Sequence, residues 1–152
     1  MPSASFHVST DIHASPEAVF AYVSDLTKHG EWSANPVHIQ PLGPETVAIG
    51  SRYHSHAQLN NLQFETDLIV TDYLPPTRFG FSGEDSTGKF QHLFIIQPGP
   101  SGAHLERRVT FSLTRRQWLL FLLILYPIRL PAARKALLAL KTRLENSPSL
   151  TR

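Results

Sequence analysis

Phe6, Val8, Thr10 and Ile12 alternate with polar neighbours across residues 5–13, the two-residue period of a half-buried strand. Ser15, Pro16 and Glu17 follow directly: a capping hydroxyl, a proline suited to the first helical position, and an acid near the positive helix end. A helix is predicted from there, with Val19, Phe20, Val23 and Leu26 on one apolar stripe that ends near Gly30.

From residue 37 to 114 the texture changes. Short alternating runs are cut by Gly43-Pro44, Gly50, Asn60-Asn61, Pro75-Pro76, Gly83, Gly88, Pro98-Gly99-Pro100 and Gly102, which predicts an antiparallel meander. Its strands are expected at 37–42, 53–59, 62–73, 78–82, 89–97 and 104–113, so that the first strand completes a set of seven. Beyond Arg115-Arg116 the chain is rich in Leu and Ala and free of glycine as far as Glu145, which reads as a long closing helix. Its second half carries Leu130, Ala133, Leu137, Leu140 and Leu144 on one side and Arg134, Lys141 and Glu145 on the other. The first half, 118–128, is apolar all round and holds Pro127, which cannot donate its backbone hydrogen bond and should kink or interrupt the helix.

Length and composition fit this picture. With 152 residues, no repeat and no linker, one domain over 1–152 is expected, ordered over about 4–146 and ending in a polar tail from Asn146. Charged residues are 17%, below the usual value of about 25%, which leaves an unusual share of surface neutral or apolar. The net charge of +2 is too weak a bias for nucleic acid as a partner. Cysteine is absent, which removes disulfides, thiol catalysis and Cys-ligated zinc. The first ten residues show no charged leader followed by an apolar run, so the cytoplasm is the expected compartment. No Walker loop, dinucleotide fingerprint, G-x-S-x-G elbow or H-E-x-x-H occurs, and no cofactor is called for.

Strand, helix, antiparallel meander and closing helix make an α+β order in which a curved sheet is covered by its terminal helix. With the blocks at 12–32 (IHASPEAVFAYVSDLTKHGEW), 50–54 (GSRYH), 71–81 (TDYLPPTRFGF) and 139–145 (ALKTRLE), the chain resembles the START-like, or SRPBCC, superfamily over nearly its whole length. That group includes lipid-transfer domains, polyketide cyclases and the major birch pollen allergen. The resemblance implies a helix-grip fold: a bent seven-stranded sheet around the long C-terminal helix, with a cavity between them. It implies no single reaction.

Alternation nominates the side chains facing that cavity. On the fourth strand Leu62, Phe64, Thr66, Leu68 and Val70 share a face opposite Gln63, Glu65 and Asp67; Phe79 and Phe81 point inward, as do Phe90, His92, Phe94 and Ile96, then Leu105, Arg107, Val109 and Phe111. Two polar groups, His92 and Arg107, thus fall among apolar ones and need a partner, solvent or a polar ligand group. Arg107 is the candidate anchor for a carboxylate, enolate or phenolate oxygen, and His92 the candidate proton-transfer group, with Tyr53 as a further catalytic candidate. The plainer reading pairs a sheet-edge Arg107 with Glu106 or Asp67 and His92 with a backbone carbonyl; a bulge would exchange Arg107 for Glu106 or Arg108. The ligand-binding set is therefore Trp32, Tyr53, Phe64, Leu68, Phe79, Phe81, His92, Phe94, Arg107, Val109, Phe111 and Leu137. His54 and His56 share a strand face at about 6 to 7 Å and are the sole metal candidates, without an identifiable third ligand; Tyr53 and Ser55 take the other face.

Residues 118–128 are too few to cross a bilayer, which takes about 20. Flanked by Arg115, Arg116 and Arg129, and with Trp118 and Tyr126 near its ends, the run suits a peripheral membrane contact; a homodimer interface is a second option, and the plainest is a cavity wall and lid with both faces covered. The function expected is binding or transport of a hydrophobic small molecule such as a lipid, polyketide, isoprenoid or aromatic metabolite. The alternatives are a cyclase- or dehydratase-like enzyme in the same cavity, and a membrane-surface or protein-interaction module working through 118–128.

Overall fold

The computed structural model describes residues 3–146 except 45 and 86–87, and of Leu125 only the backbone. Of the polar tail expected from Asn146, all but Asn146 lies outside the described residues. Seven antiparallel strands form one sheet: β1 (Ser3–Ile12), β2 (Val37–Pro41), β3 (Arg52–Leu59), β4 (Leu62–Leu74), β5 (Arg78–Asp85), β6 (Gly88–Gly99) and β7 (Gly102–Ser112). Their order is β1-β7-β6-β5-β4-β3-β2, so β1 closes back beside β7 and only β1 and β2 are edges. With the long C-terminal helix this is the helix-grip α+β fold, and the seven strands expected from alternation are all present.

Local chemistry sets the first helix. In α1 (Pro16–Ser24) the Ser15 hydroxyl accepts from the Ala18 N–H at 3.2 Å, and Pro16 occupies the first turn. The helix does not run on to Gly30. Asp25 leaves helical geometry and its carboxylate accepts from the Thr27 N–H, starting a tighter 3-10 helix over Leu26–Glu31. That turn packs against β2, and Gly30 is required there: a Cβ would lie 2.3 Å from the Val37 carbonyl oxygen.

On β4, Thr66, Leu68 and Val70 are buried as alternation demands. Leu62 is not; it is 63% exposed, because it stands at the tip of the β3–β4 hairpin, next to the Asn60-Asn61 turn. After Val70 a bulge shifts the register, and Tyr73 turns inward to meet Phe20 edge-on at 5.4 Å.

The closing segment comprises α2 (Arg115–Leu120), a π-helical turn (Phe121–Leu125) and α3 (Tyr126–Glu145). A capping box between Thr114 and Gln117 opens α2. The widened turn, in which the Tyr126 N–H reaches back to the Phe121 carbonyl, directly precedes Pro127, whose ring would collide with the carbonyl four residues back in a regular helix. The expected interruption at Pro127 is thus a π-bulge. Beyond it Ala133, Ala136, Leu137, Leu140 and Leu144 are buried, with α3 lying along β1. Arg143 pairs with Glu31 at 3.5 Å, which ties α3 to the 3-10 turn.

The two-sided cover expected for 118–128 is not what forms. Phe121 is buried against Phe111, but Leu119, Leu120, Leu122, Leu123, Ile124 and Ile128 are exposed, since the sheet meets this segment along one side only.

Candidate functional site

β6 and β7 pair without interruption from Lys89 opposite Ser112 to Gly99 opposite Gly102. This unbroken register decides the orientation of Arg107. It lies on the buried face with Leu105 and Val109, while Glu106 and Arg108 take the outer face and pair with each other. Neither proposed carboxylate reaches Arg107: Asp67 is bound to Arg52 and His54 on the outer side of β3 and β4. Nor is Arg107 at an edge, because β7 runs between β1 and β6.

Phe79, Phe94 and Arg107 form one cross-strand row, and Phe81, His92 and Val109 the next. Arg107 and His92 meet on the diagonal. The guanidinium Nη2 and the imidazole Nδ1 are 3.0 Å apart, and since arginine has only donors, Arg107 donates and His92 accepts. The proton of His92 therefore sits on Nε2. Its ring stacks on Phe81 at 4.8 Å.

The 3-10 turn brings two more polar groups over this row. His29 packs on Trp32 with ring centroids 4.3 Å apart, and Trp32 meets Phe94 edge-on at 6.0 Å. The Arg107 guanidinium carbon lies 5.3 Å from the Trp32 ring centre and 5.6 Å from that of Phe94. Such cation–π contacts contribute about 0.5 to 2 kcal/mol each, less than the several kcal/mol that burying a bare cation costs. Among the described residues three buried side-chain polar atoms have no hydrogen-bond partner, and they belong to these same residues: Arg107 Nε, Trp32 Nε1 and His29 Nδ1.

Electrostatics follow from this packing. Burial pushes Arg107 down to about 10, so it stays charged at neutral pH. Burial, then the Arg107 charge, pushes His29 down to about 3. His92 lies well below its ordinary value of 6.5, chiefly through burial and next through Arg107, with His29 and Arg129 adding to it. One fixed cation thus faces two neutral imidazoles. Arg107 is 7% exposed, and among the described residues no carboxylate forms an ion pair with it.

Of the sequence-nominated ligand set, Trp32, Phe79, Phe81, His92, Phe94 and Arg107 come together here, with Val109 beside His92. Phe111 lies further along, between Phe6 and Phe121. Leu68 is buried and Phe64 half-buried on β4. Tyr53 is buried on β3, where desolvation, then Asp25 and Tyr73, raise its phenol above the ordinary value. Leu137 faces β1, where it lines a half-open groove of about 390 Å3 with His7, Val8, Ser9, Thr10, Arg134 and Leu138.

Two members were missed. His29 continues the stripe of Leu26 at a three-residue step that Trp32 extends, a spacing that would have found it. Arg129 was taken as a flank of the apolar run, but it turns inward, with its guanidinium 4.9 Å from the Phe111 ring centre. His54 and His56 do share the outer face of β3, each engaged with its own carboxylate: Asp67 at 2.8 Å and Glu65 at 3.4 Å. Among the described residues no group of three His, Cys, Asp or Glu is placed to hold a metal ion, and no helix is long and apolar enough to cross a membrane.

Among curated proteins none matches this sequence. Among solved structures the fold is shared by protein CV1439 from Chromobacterium violaceum, at a TM-score of 0.72 and 14% identity over 94% of this chain and 99% of that one. TTHA0849 from Thermus thermophilus superposes at 0.72 with 16% identity, covering 93% of this chain and 96% of its own. Ara h 8.0201 follows at 0.66 with 11% identity, covering 93% and 97%. At these identities the likeness is one of fold. The family itself is shown by sequence, over a span that takes in all seven strands and the whole of α3: residues 3–145 match the model described as polyketide cyclase / dehydrase and lipid transport, and the chain belongs to that family.

Proposed function

We propose that this protein binds a hydrophobic small molecule bearing an acidic or strongly accepting oxygen, which Arg107 anchors among Trp32, Phe81, His92 and Phe94. The observation that carries this reading is a buried guanidinium with, among the described residues, no anionic partner and an unpaired Nε, beside two further unpaired polar atoms on His29 and Trp32. An oxygen anion supplied by a ligand would satisfy donors that the protein leaves open, and it would offset the desolvation of the charge. The surrounding aromatic rings supply apolar contact, worth about 25 cal/mol per Å2 removed from water. The family, described as polyketide cyclase / dehydrase and lipid transport, supports a ligand of this general kind.

Binding fits the site better than turnover. A general base works best with a pKa near the working pH, whereas His29 and His92 are both held far below it, and the Nδ1 of His92 is already occupied by Arg107.

Native mass spectrometry and organic extraction of the gently purified protein would show a co-purified amphiphile with an acidic or carbonyl oxygen. Titration with anilinonaphthalene sulfonate and dodecanoate, followed through tryptophan fluorescence, is expected to give saturable binding that Arg107→Met weakens at least about tenfold, the equivalent of one charge-assisted hydrogen bond. Affinity for dodecanol should change little. Equal affinity of wild type and Arg107→Met for both anions would overturn the assignment.

A further inference from the structure

Between Glu106 and Glu145 the chain contains no acidic residue and nine Lys or Arg. The same stretch carries the exposed apolar face of α2, the π-helical turn and the start of α3. Leu119, Leu120, Leu122, Leu123, Ile124 and Ile128 are all exposed there, and Leu123 is 71% exposed. Arg115 and Arg116 stand exposed at the start of this face, and Arg134 and Lys135 further along α3; among the described residues none of the four is in an ion pair. Trp118, half-buried, sits between the first pair of cations and the leucines.

We infer that this face docks on an anionic lipid surface. The apolar side chains enter the headgroup and acyl boundary while the four unpaired cations meet lipid phosphates, the pairing that holds amphipathic helices at an interface. Charge selects this occupant over a second copy of the chain. A two-fold contact would set this cationic stretch against itself, with like charges facing across an apolar centre. The widened turn before Pro127 serves the same end: it points Phe121 into the core, against Phe111, while its neighbours Leu120, Leu122 and Leu123 stay outward.

The test is co-sedimentation of the full chain with vesicles of phosphatidylcholine alone and of phosphatidylcholine mixed with phosphatidylglycerol, at low and high salt. Binding is expected to the mixed vesicles and to weaken with salt. Leu123→Glu should lower the partition coefficient by about tenfold or more, and Leu119→Glu should do likewise should the first variant fold poorly. Arg115→Gln combined with Arg116→Gln should lower binding and flatten its salt dependence, with melting temperatures of all variants close to wild type. Equal binding of wild type and Leu123→Glu, or no preference for anionic vesicles, would overturn the inference. So would a concentration-dependent dimer in sedimentation velocity that Leu123→Glu abolishes while vesicles go unbound. Loss of binding in Leu123→Glu, at an exposed position outside the buried site, separates this docking from uptake of a lipid beside Arg107.

Discussion

Arg107 donates to His92 across neighbouring strands, Nη2 to Nδ1 at 3.0 Å, and this bond fixes the protonation state of the buried site. An imidazole that accepts from a guanidinium cannot carry a proton on that nitrogen, so His92 is held neutral with its Nε2–H as its only remaining donor. The polar groups of the site are then nearly all donors, which is the wrong complement for a cationic ligand and the right one for an oxygen anion. Register sets the Arg107–His92 pair: the uninterrupted β6–β7 ladder places the two side chains on one face and their charged neighbours on the other.

Arg107→Met tests whether this residue serves binding at a cost to stability. The substitution removes a buried charge that has no carboxylate partner among the described residues and keeps most of the side-chain volume against Trp32 and Phe94. Removing the buried charge lifts a desolvation cost of several kcal/mol, partly offset by the His92 Nδ1 left without its donor, so a net gain of about 1 kcal/mol is expected. Urea denaturation should show that gain in the same variant that loses affinity for anions. A loss of stability would mean that an anion-independent structural role dominates.

His92→Phe asks what the acceptor is worth. The ring can still stack on Phe81, but the Arg107 Nη2 loses the acceptor it has on His92, and among the described residues no other hydrogen bond holds the guanidinium. A loss of about 1 to 3 kcal/mol is expected, the cost of leaving a buried charged donor unmet. Combined with Arg107→Met, the same change should cost clearly less, and a double-mutant cycle reads that coupling directly.

The sheet was legible because its two faces differ. On β1, β4 and β7 the apolar and polar positions alternate cleanly, and Phe6, Val8, Leu68, Val70, Leu105, Val109 and Phe111 are buried where the period puts them. Arg107 and His92 stood out for the same reason, as polar residues on an apolar face. What alternation could not show was their partners, since the meeting of Arg107 with Trp32 depends on how the turn after α1 folds back over the sheet. That turn was read as more helix because Asp25 breaks no apolar stripe; it acts through a hydrogen bond to Thr27. The cover over 118–128 was not legible, because a run apolar all round does not say which side, if any, meets the core.

Gly30→Ala tests how the site is carried by that turn. The added methyl would stand 2.3 Å from the Val37 carbonyl oxygen, a backbone atom that cannot swing aside. The 3-10 turn must lift off β2, taking His29 and Trp32 with it. A loss of about 2 kcal/mol or more is expected, in line with overpacking at a rigid contact. Anion binding should weaken too, and Trp32 fluorescence should move to the red as the indole gains water.

The two neutral imidazoles also set a direction for the dependence of stability on pH. His29 titrates near its ordinary value of about 6.5 in the unfolded chain but at about 3 when folded. Below 6.5 the unfolded state therefore binds a proton that the folded state refuses, and stability falls as pH falls from there toward 3. The slope is about 1.4 kcal/mol per pH unit for each fully excluded proton, so His29 alone accounts for a loss of about 2 kcal/mol between pH 7 and pH 5. His92, also depressed, acts in the same direction. Carboxylates titrate in part of this range, so the decisive comparison is wild type against His29→Phe, whose ring keeps the contacts with Trp32 and Phe81. Urea denaturation at the two pH values should show the variant losing less stability than wild type, by about 2 kcal/mol. Parallel curves for the two proteins would mean that His29 takes up its proton in the folded state, and that the space beside Arg107 is wet enough to solvate it.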